Sequence, residues 1–304
     1  MEAIITIVGF LGAGKTTLLR RLIAEYIDED WSPFVILNDY ENAYMDAQQF
    51  YDEIDQKYIK ALSGSCICCS GINELREFVN TVPERKNGVT LIEANGTSDA
   101  TSLMGFLGVG LDKRFLPPVQ VSVVDANNWQ LRGENNELES NQIQVSSLVV
   151  LTHLDKVDEY RRDVVTNEIK KINPSAKVIA YDDIDIELLP KLAPSKNQAE
   201  KLDHLKAHWS SCSVDLPKLP HLASIKEILD RIPKTILRVK GFSKIGNDKG
   251  YTYFERTSDG EVYVRPFNGE AITEPKLLTI GPGSEPDLIK EYVAAGLKAA
   301  VADS

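Results

Sequence analysis

Residues 9–16 read Gly-Phe-Leu-Gly-Ala-Gly-Lys-Thr, and no other stretch restricts so tightly what this chain can fold into. The spacing is GxxxxGK[ST]; an apolar strand-like run, residues 3–9, leads into it, and Leu18, Leu19, Leu22, Ile23 and Tyr26 follow at helical spacing. A buried strand, a glycine turn and an amphipathic helix, in that order, make a phosphate-binding loop. Gly9, Gly12 and Gly14, with Ala13 before the last of them, allow a tight main chain whose N–H groups converge on phosphate oxygens, and the helix start adds its positive end. In that frame Lys15 holds the β- and γ-phosphates, Thr16 offers its hydroxyl to Mg²⁺, and Thr17 contacts the α-phosphate.

Beyond the loop, short β-branched runs alternate with longer amphipathic stretches, which predicts an α/β fold: a mostly parallel sheet flanked by helices. Strands are predicted at residues 3–9, 34–38, 89–93, 119–125, 148–152 and 177–181, each nearly continuous in apolar residues, as strands buried on both faces are. Helices are predicted at 15–26 and 158–172. Around residues 193–203 the texture turns polar, with Pro190 and Pro194 nearby. The chain is therefore divided into a nucleotide-binding domain at 1–190, a linker at 191–203 and a smaller α+β domain at 204–304. In the last of these, SSCSVDLP, TILRVKGF, GYTYFER and GEVYVRP read as strands and residues 286–300 as a closing helix. Tyr251, Tyr253, Phe254, Arg256, Tyr263 and Arg265 fit either a docking surface or the alternating exposure of a half-buried sheet.

A formal net charge of -11 repels phosphate backbones and anionic headgroups, so neither nucleic acid nor a membrane surface is an expected partner. The start of the sequence shows no basic, apolar, small-residue leader and no run of about 18 apolar residues, and a cytoplasmic location is expected.

Two further constellations carry chemistry. Such a phosphate site needs an acidic group at the end of a second strand to act on Mg²⁺, and TLIEANG supplies Glu93, followed by Gly96 as a mobile glycine. Asp39, Glu41 and Asp46 form an acidic loop where a switch segment would lie, although surface solvation explains any one of them as well. The second constellation is SGSCICCSG, residues 63–71. Cys66, Cys68 and Cys69 offer three thiolates to Zn²⁺ or a similar soft-tolerant ion such as Co²⁺ and leave a fourth position open. Cys212 stands alone and is read as a packing residue.

Together these residues resemble the CobW-like GTPases, nucleotide-dependent metal chaperones and metal-insertion proteins. The resemblance rests on GFLGAGKTT at 9–17, ND at 38–39, CICC at 66–69, EANG at 93–96, VVDA at 123–126 and LTHLDKVD at 151–158; HWSSCSVDLP at 208–217, ILRVKGF at 236–242 and LLTIGPGSEPDLIKE at 277–291 extend it to the C-terminal part. It implies GTP hydrolysis, with Lys15, Thr16, Asp39 and Glu93 as catalytic residues, coupled to delivery of zinc from the CxCC motif to a client metalloprotein. It also makes Thr152, His153 and Asp155 the base-recognition residues, with Asp155 accepting guanine's N1–H and N2–H₂. The chain departs from the family's usual Asn-Lys-x-Asp there: the Thr152 hydroxyl takes the Asn contact, the His153 ring covers the base in place of the Lys stem, and ATP stays open beside GTP. The switch loop differs too, reading Asn38-Asp39-Tyr40-Glu41, and in place of a histidine-rich stretch the chain has four histidines altogether, of which His204 and His208 sit i, i+4 apart and read as a solvated helix face more than as a metal site. A small-molecule kinase and a non-hydrolysing, nucleotide-gated metal-binding protein are the competing readings, and homo-oligomerisation through the switch face is compatible with all three.

Overall fold

The computed structural model describes residues 1–38, 43–48, 50–62, 71–195, 211–257, 260–267, 274–281 and 283–302. The chain separates into two compact units, one of residues 1–43 and 53–208, the other of residues 44–52 and 209–304.

In chain order the elements begin with β1 (Ala3–Val8), α1 (Lys15–Asp28) and β2 (Ser32–Asn38). Next comes the short α2 (Ala43–Gln48), all of which but its first residue falls in the second unit. The first unit resumes with β3 (Ile59–Leu62), α3 (Gly71–Thr81), β4 (Gly88–Glu93), α4 (Ala100–Leu107), β5 (Val119–Asp125), α5 (Asn136–Gln144), β6 (Leu148–Thr152), α6 (Glu159–Ile172) and β7 (Lys177–Ala180).

The seven strands of this unit form a parallel sheet in the order β3-β2-β4-β1-β5-β6-β7. β1 is central: Ile5 pairs with Leu91 of β4 on one side and with Val119 of β5 on the other. Both its faces are buried, which is why its sequence is apolar without alternation. Ile4, Val8, Ile36 and Ile92 pack against Leu75, Val79 and Leu103 of α3 and α4, and Val124, Val149 and Leu151 pack against Ile143, Val165 and Ile169 of α5 and α6. α1 buries Leu18, Leu19, Leu22, Ile23 and Tyr26 and covers β1, β2 and β4. This winding gathers Gly9, Glu93, Asp125 and Thr152 at the carboxyl edge of the sheet, the edge where open α/β sheets bind ligands.

The second unit adds β8 (Ser211–Asp215), α7 (Ala223–Arg231), β9 (Arg238–Lys244), β10 (Tyr251–Arg256), β11 (Val262–Pro266), β12 (Lys276–Ile280) and α8 (Pro286–Ala302). Its five strands are antiparallel in the order β11-β10-β9-β12-β8. Val214, Val239, Phe254 and Leu277 form one core with Ile225 and Ile228 of α7 and Ile289 and Val293 of α8. Phe242, Tyr253 and Phe267 form another, smaller cluster.

Several expectations change here. Tyr253, Phe254 and Arg256 are buried, so they present no docking surface; Tyr263 and Arg265 on the edge strand β11 stay exposed. The Arg256 guanidinium donates to the carbonyls of Leu229 and Ile232 at the end of α7 at 2.8 and 2.6 Å, and to those of Pro233 and Ile236 at 3.0 and 2.9 Å. A cation there answers the partial negative charge at the helix's carboxyl end. Asp46 is not a solvated loop carboxylate. It sits in α2, and Lys240 of β9, 4% exposed, donates to both its oxygens at 2.7 and 2.8 Å. Cys212 is buried, as read, with its Sγ 3.3 Å from Thr279 Oγ1.

Candidate nucleotide site

The main chain of residues 9–14 is shaped by glycine. Gly9, Gly12 and Gly14 have φ of 154°, 79° and 96°, all in the region that side chains disfavour. A Cβ on Gly9 would also lie 2.4 Å from the Val123 carbonyl oxygen of the neighbouring strand, so loop and sheet can touch only without one. Gly14 caps α1, and the first turn of that helix carries no acidic residue to compete with an anion for its N–H groups. The Lys15 ammonium, 4% exposed, donates to the carbonyls of Gly9 at 2.9 Å and Phe10 at 3.1 Å and so lies across the loop it completes.

Thr16 Oγ1, in the first turn of α1, donates to Glu93 Oε1 at the end of β4 at 2.8 Å. A hydroxyl and a carboxylate side by side are hard oxygen donors, the set that Mg²⁺ accepts. Gly96, read as mobile, is instead pinned. A Cβ there would lie 2.5 Å from Leu11 Cδ2, and Gln142 Nε2 donates to the Gly96 carbonyl at 2.9 Å. Its missing side chain serves close packing of the loop after β4 on the phosphate loop.

On the other side of β1, a cavity of about 350 Å³ is lined by Gly14, Thr17, Thr152, His153, Asp155 and Tyr181, among others. The structure therefore brings together the phosphate loop and the residues expected to read the base. Thr152 acts differently from expectation: its hydroxyl lies 2.8 Å from the Ala13 carbonyl oxygen and 3.2 Å from that of Val124. Its single proton is committed to the backbone, tying the phosphate loop to β5 and β6. His153 takes φ 53° and ψ 33°, a left-handed turn that starts the short 3₁₀ segment carrying Asp155.

Asp125, at the end of β5, was not singled out from the sequence as a site residue. It accepts from the main-chain N–H groups of Asn127 and Asn128 at 3.0 and 3.2 Å and from Asn128 Nδ2 at 2.7 Å, and its Oδ1 lies 3.3 Å from His153 Nδ1. Arg132 Nη2 is 3.5 Å away and its guanidinium stacks 4.4 Å above the Phe10 ring. Burial favours the neutral acid, but the bonds from His153 and Asn128 and the charges of His153 and Arg132 outweigh it and lower the carboxyl to about 2. In return the bond to Asp125 raises His153 above its ordinary value, against the opposing effect of burial. Tyr181, also missed, is held from α1, where Arg21 donates to its carbonyl and stacks 5.0 Å from its ring. Strand-ending Asp and Tyr residues carry no spacing signal; only the VVDA match pointed to Asp125.

Asp39 and Glu41, the Cys66, Cys68 and Cys69 trio, and His204 and His208 lie outside the described residues. Among the described residues no His, Cys, Asp and Glu cluster is arranged to hold a metal ion, and no helix is long and apolar enough to cross a membrane.

A glycine cradle at the start of α1, a hydroxyl–carboxylate pair beside it and a cavity on the base side define a P-loop nucleotide-binding protein. The chain belongs to the CobW/HypB/UreG family, whose nucleotide-binding domain matches residues 3–180. It is 29% identical over 197 residues to the zinc chaperone YjiA of Escherichia coli (strain K12), a match covering 62% of this chain and 60% of that one. It is 24% identical over 209 residues to the zinc-regulated GTPase metalloprotein activator 1 of Dictyostelium discoideum, covering 56% of this chain and 44% of the relative. The chain thus spans three fifths or less of the length of these curated relatives. The crystal structure of Zn(II)-bound YjiA GTPase from E. coli superposes with a TM-score of 0.43 at 18% identity, covering 97% of this chain and 98% of that one.

Proposed function

We propose that this protein is a cytoplasmic GTP-hydrolysing metal chaperone, which binds zinc through Cys66, Cys68 and Cys69 and releases it to a client metalloprotein according to its nucleotide state. The observation that carries the reading is the Thr16–Glu93 contact of 2.8 Å beside the glycine cradle, because it puts hard oxygen donors where the terminal phosphates would lie. The names of the zinc-handling relatives and the spacing of the three thiols in SGSCICCSG support the metal side.

The chain's own groups would divide the work. The N–H groups of residues 9–14 and the start of α1 bind the phosphates, and Lys15 exchanges the carbonyls of Gly9 and Phe10 for β- and γ-phosphate oxygens. The Thr16 hydroxyl, with Glu93 behind it, would hold Mg²⁺, which would supply charge neutralisation at the terminal phosphates. Asp39 orients the attacking water. Asp155, in the turn after β6, accepts from the guanine edge. Water excluded from such a site strengthens each of these interactions.

Comparing GTP with ATP turnover, each with and without Zn²⁺ or Co²⁺, tests the reading. GTP hydrolysis that depends on Mg²⁺, is lost in Thr16→Ala and responds to Zn²⁺ supports it. Nucleotide consumption that requires an added hydroxyl acceptor points to a kinase, and binding without phosphate release to a nucleotide-gated metal-binding protein.

A further inference from the structure

The cavity beside the phosphate loop has a titratable wall. His153 lines it, 29% exposed in its side chain, and its Nδ1 faces two oxygens, Asp125 Oδ1 at 3.3 Å and Thr152 Oγ1 at 3.3 Å. Since the Thr152 proton points to backbone carbonyls, that hydroxyl offers His153 a lone pair. Both neighbours of Nδ1 therefore accept, and Nδ1 carries a proton in either state of the ring. Only Nε2 is left to gain or lose one.

We infer that Asp125 is a positioning residue that turns the His153 Nδ1–H toward itself and favours the ring's cationic form on the wall of the nucleotide cavity, so that nucleotide affinity depends on a proton at His153 Nε2. The inference rests on the nucleotide-site reading above. A cation against an aromatic face is favourable, and more so where water is excluded. The triphosphate adds negative charge to a chain already at -11, which favours a cation at its border. The ring is fixed from both ends of its residue: the left-handed backbone at φ 53° sets the direction of departure from the chain, and Asp125 holds the side chain.

The charges around His153 have a consistent balance. Asp125 on β5 and Asp155 in its own turn stabilise the cation, while Lys156 in that turn opposes it. Asp182 lines the cavity with His153, and Arg21 of α1 approaches the cavity through Tyr181. Arg132, 3.5 Å from Asp125, adds its charge to the bonds from His153 and Asn128 that keep this carboxylate ionised. The sign follows. A folded-state His held above its ordinary value keeps its charge to higher pH than a free imidazole and loses it as pH rises past that raised value. Affinity is then full on the acid side and falls on the alkaline side.

The test is equilibrium titration of the full-length protein with a fluorescent GTP analogue and Mg²⁺ from about pH 6 to 9, on wild type, His153→Lys and Asp125→Asn, with single-turnover hydrolysis at saturating GTP alongside. Wild-type Kd should rise about three- to tenfold across that range, the scale of one cation–aromatic contact. In His153→Lys, charged throughout, the Kd should stay flat apart from the titration of the γ-phosphate, which all variants share. In Asp125→Asn, which keeps an acceptor but removes the charge, the transition should move to lower pH. A wild-type profile that superposes on that of His153→Lys overturns the inference while leaving the nucleotide site intact, and so does an Asp125→Asn transition that does not move. Absence of binding at every pH would instead remove the nucleotide-site reading. Should Asp125→Asn fail to fold, the wild-type and His153→Lys comparison decides by itself.

Discussion

Replacing Gly96 by alanine would place a methyl group 2.5 Å from Leu11 Cδ2 and 2.9 Å from the Leu11 main-chain nitrogen. Carbon atoms rest at about 3.5–4.0 Å, so Leu11 would have to retreat by roughly 1 Å. It has little room, being 1% exposed, and the nitrogen contact cannot be relieved by a rotamer change. Overpacking of this kind costs about 1–3 kcal/mol. The strain falls on the phosphate loop, since Leu11 lies between Gly9 and Gly12. Gly96→Ala should therefore lower the melting temperature by roughly 2–4 °C per kcal/mol and weaken binding of a GTP analogue about tenfold, equivalent to ~1.4 kcal/mol. Leu11→Ala in the same chain removes the Cδ2 clash but not the nitrogen contact. A double-mutant cycle read by thermal unfolding and nucleotide titration should thus give a favourable coupling of about 1 kcal/mol, short of full relief. A Gly96→Ala protein with wild-type melting and affinity, or strict additivity with Leu11→Ala, would refute the packing argument.

Arg256→Met should destabilise the second unit by about 1–3 kcal/mol, because it removes the side-chain donors from the carbonyls of Leu229, Ile232, Pro233 and Ile236, of which Leu229 and Pro233 keep a main-chain N–H partner; urea unfolding measures it, and an unchanged midpoint would count against the cap. Glu255, in that unit, is pushed up by burial but brought down on balance to about 2 by the charges of Arg238 and Lys240 and by bonds from Tyr253 and Arg238. A depressed carboxyl contributes stability above its unfolded value near 4.3 and loses it as pH falls toward 2, so urea melts should show up to roughly 3 kcal/mol of acid sensitivity that Glu255→Gln lacks. Equal acid sensitivity in both proteins would contradict this. Joint substitution of Cys66 and Cys68 by serine should abolish stoichiometric zinc binding, measured by metal analysis after dialysis, and leave the nucleotide affinity of the metal-free protein as it was; retained zinc would exclude the thiolates as ligands.

The phosphate loop was legible because its chemistry is local: eight consecutive residues, a strand before and a helix after, decide the conformation. The same holds for the strands of the parallel sheet, whose burial on both faces leaves unbroken apolar runs. β3 escaped because it is an edge strand of four residues with alternating burial, too short to show a period. Asp125 escaped because its importance lies in what the fold brings to it: His153 from the next strand's end and Arg132 from the following loop. Thr152 showed the same limit in reverse. Its position in the base motif was legible, but the commitment of its proton to Ala13 and Val124 depends on a contact spanning 139 residues. Asp46 was read with its sequence neighbours as a switch carboxylate, whereas its partner Lys240 lies 194 residues away. Charge patterning along the chain cannot reveal such a pair.

On the proposed function, a nucleoside triphosphate at the phosphate loop and zinc at the Cys66–Cys69 loop affect each other. Coupling of two binding equilibria is reciprocal, so either ligand can report it. The most direct measurement is zinc affinity by competition with a chromophoric chelator, with and without a saturating non-hydrolysable GTP analogue and Mg²⁺. The two affinities should differ by about fivefold or more, the lower end of measured couplings, and Lys15→Ala should remove the difference. Identical zinc affinities with nucleotide bound and absent would contradict it.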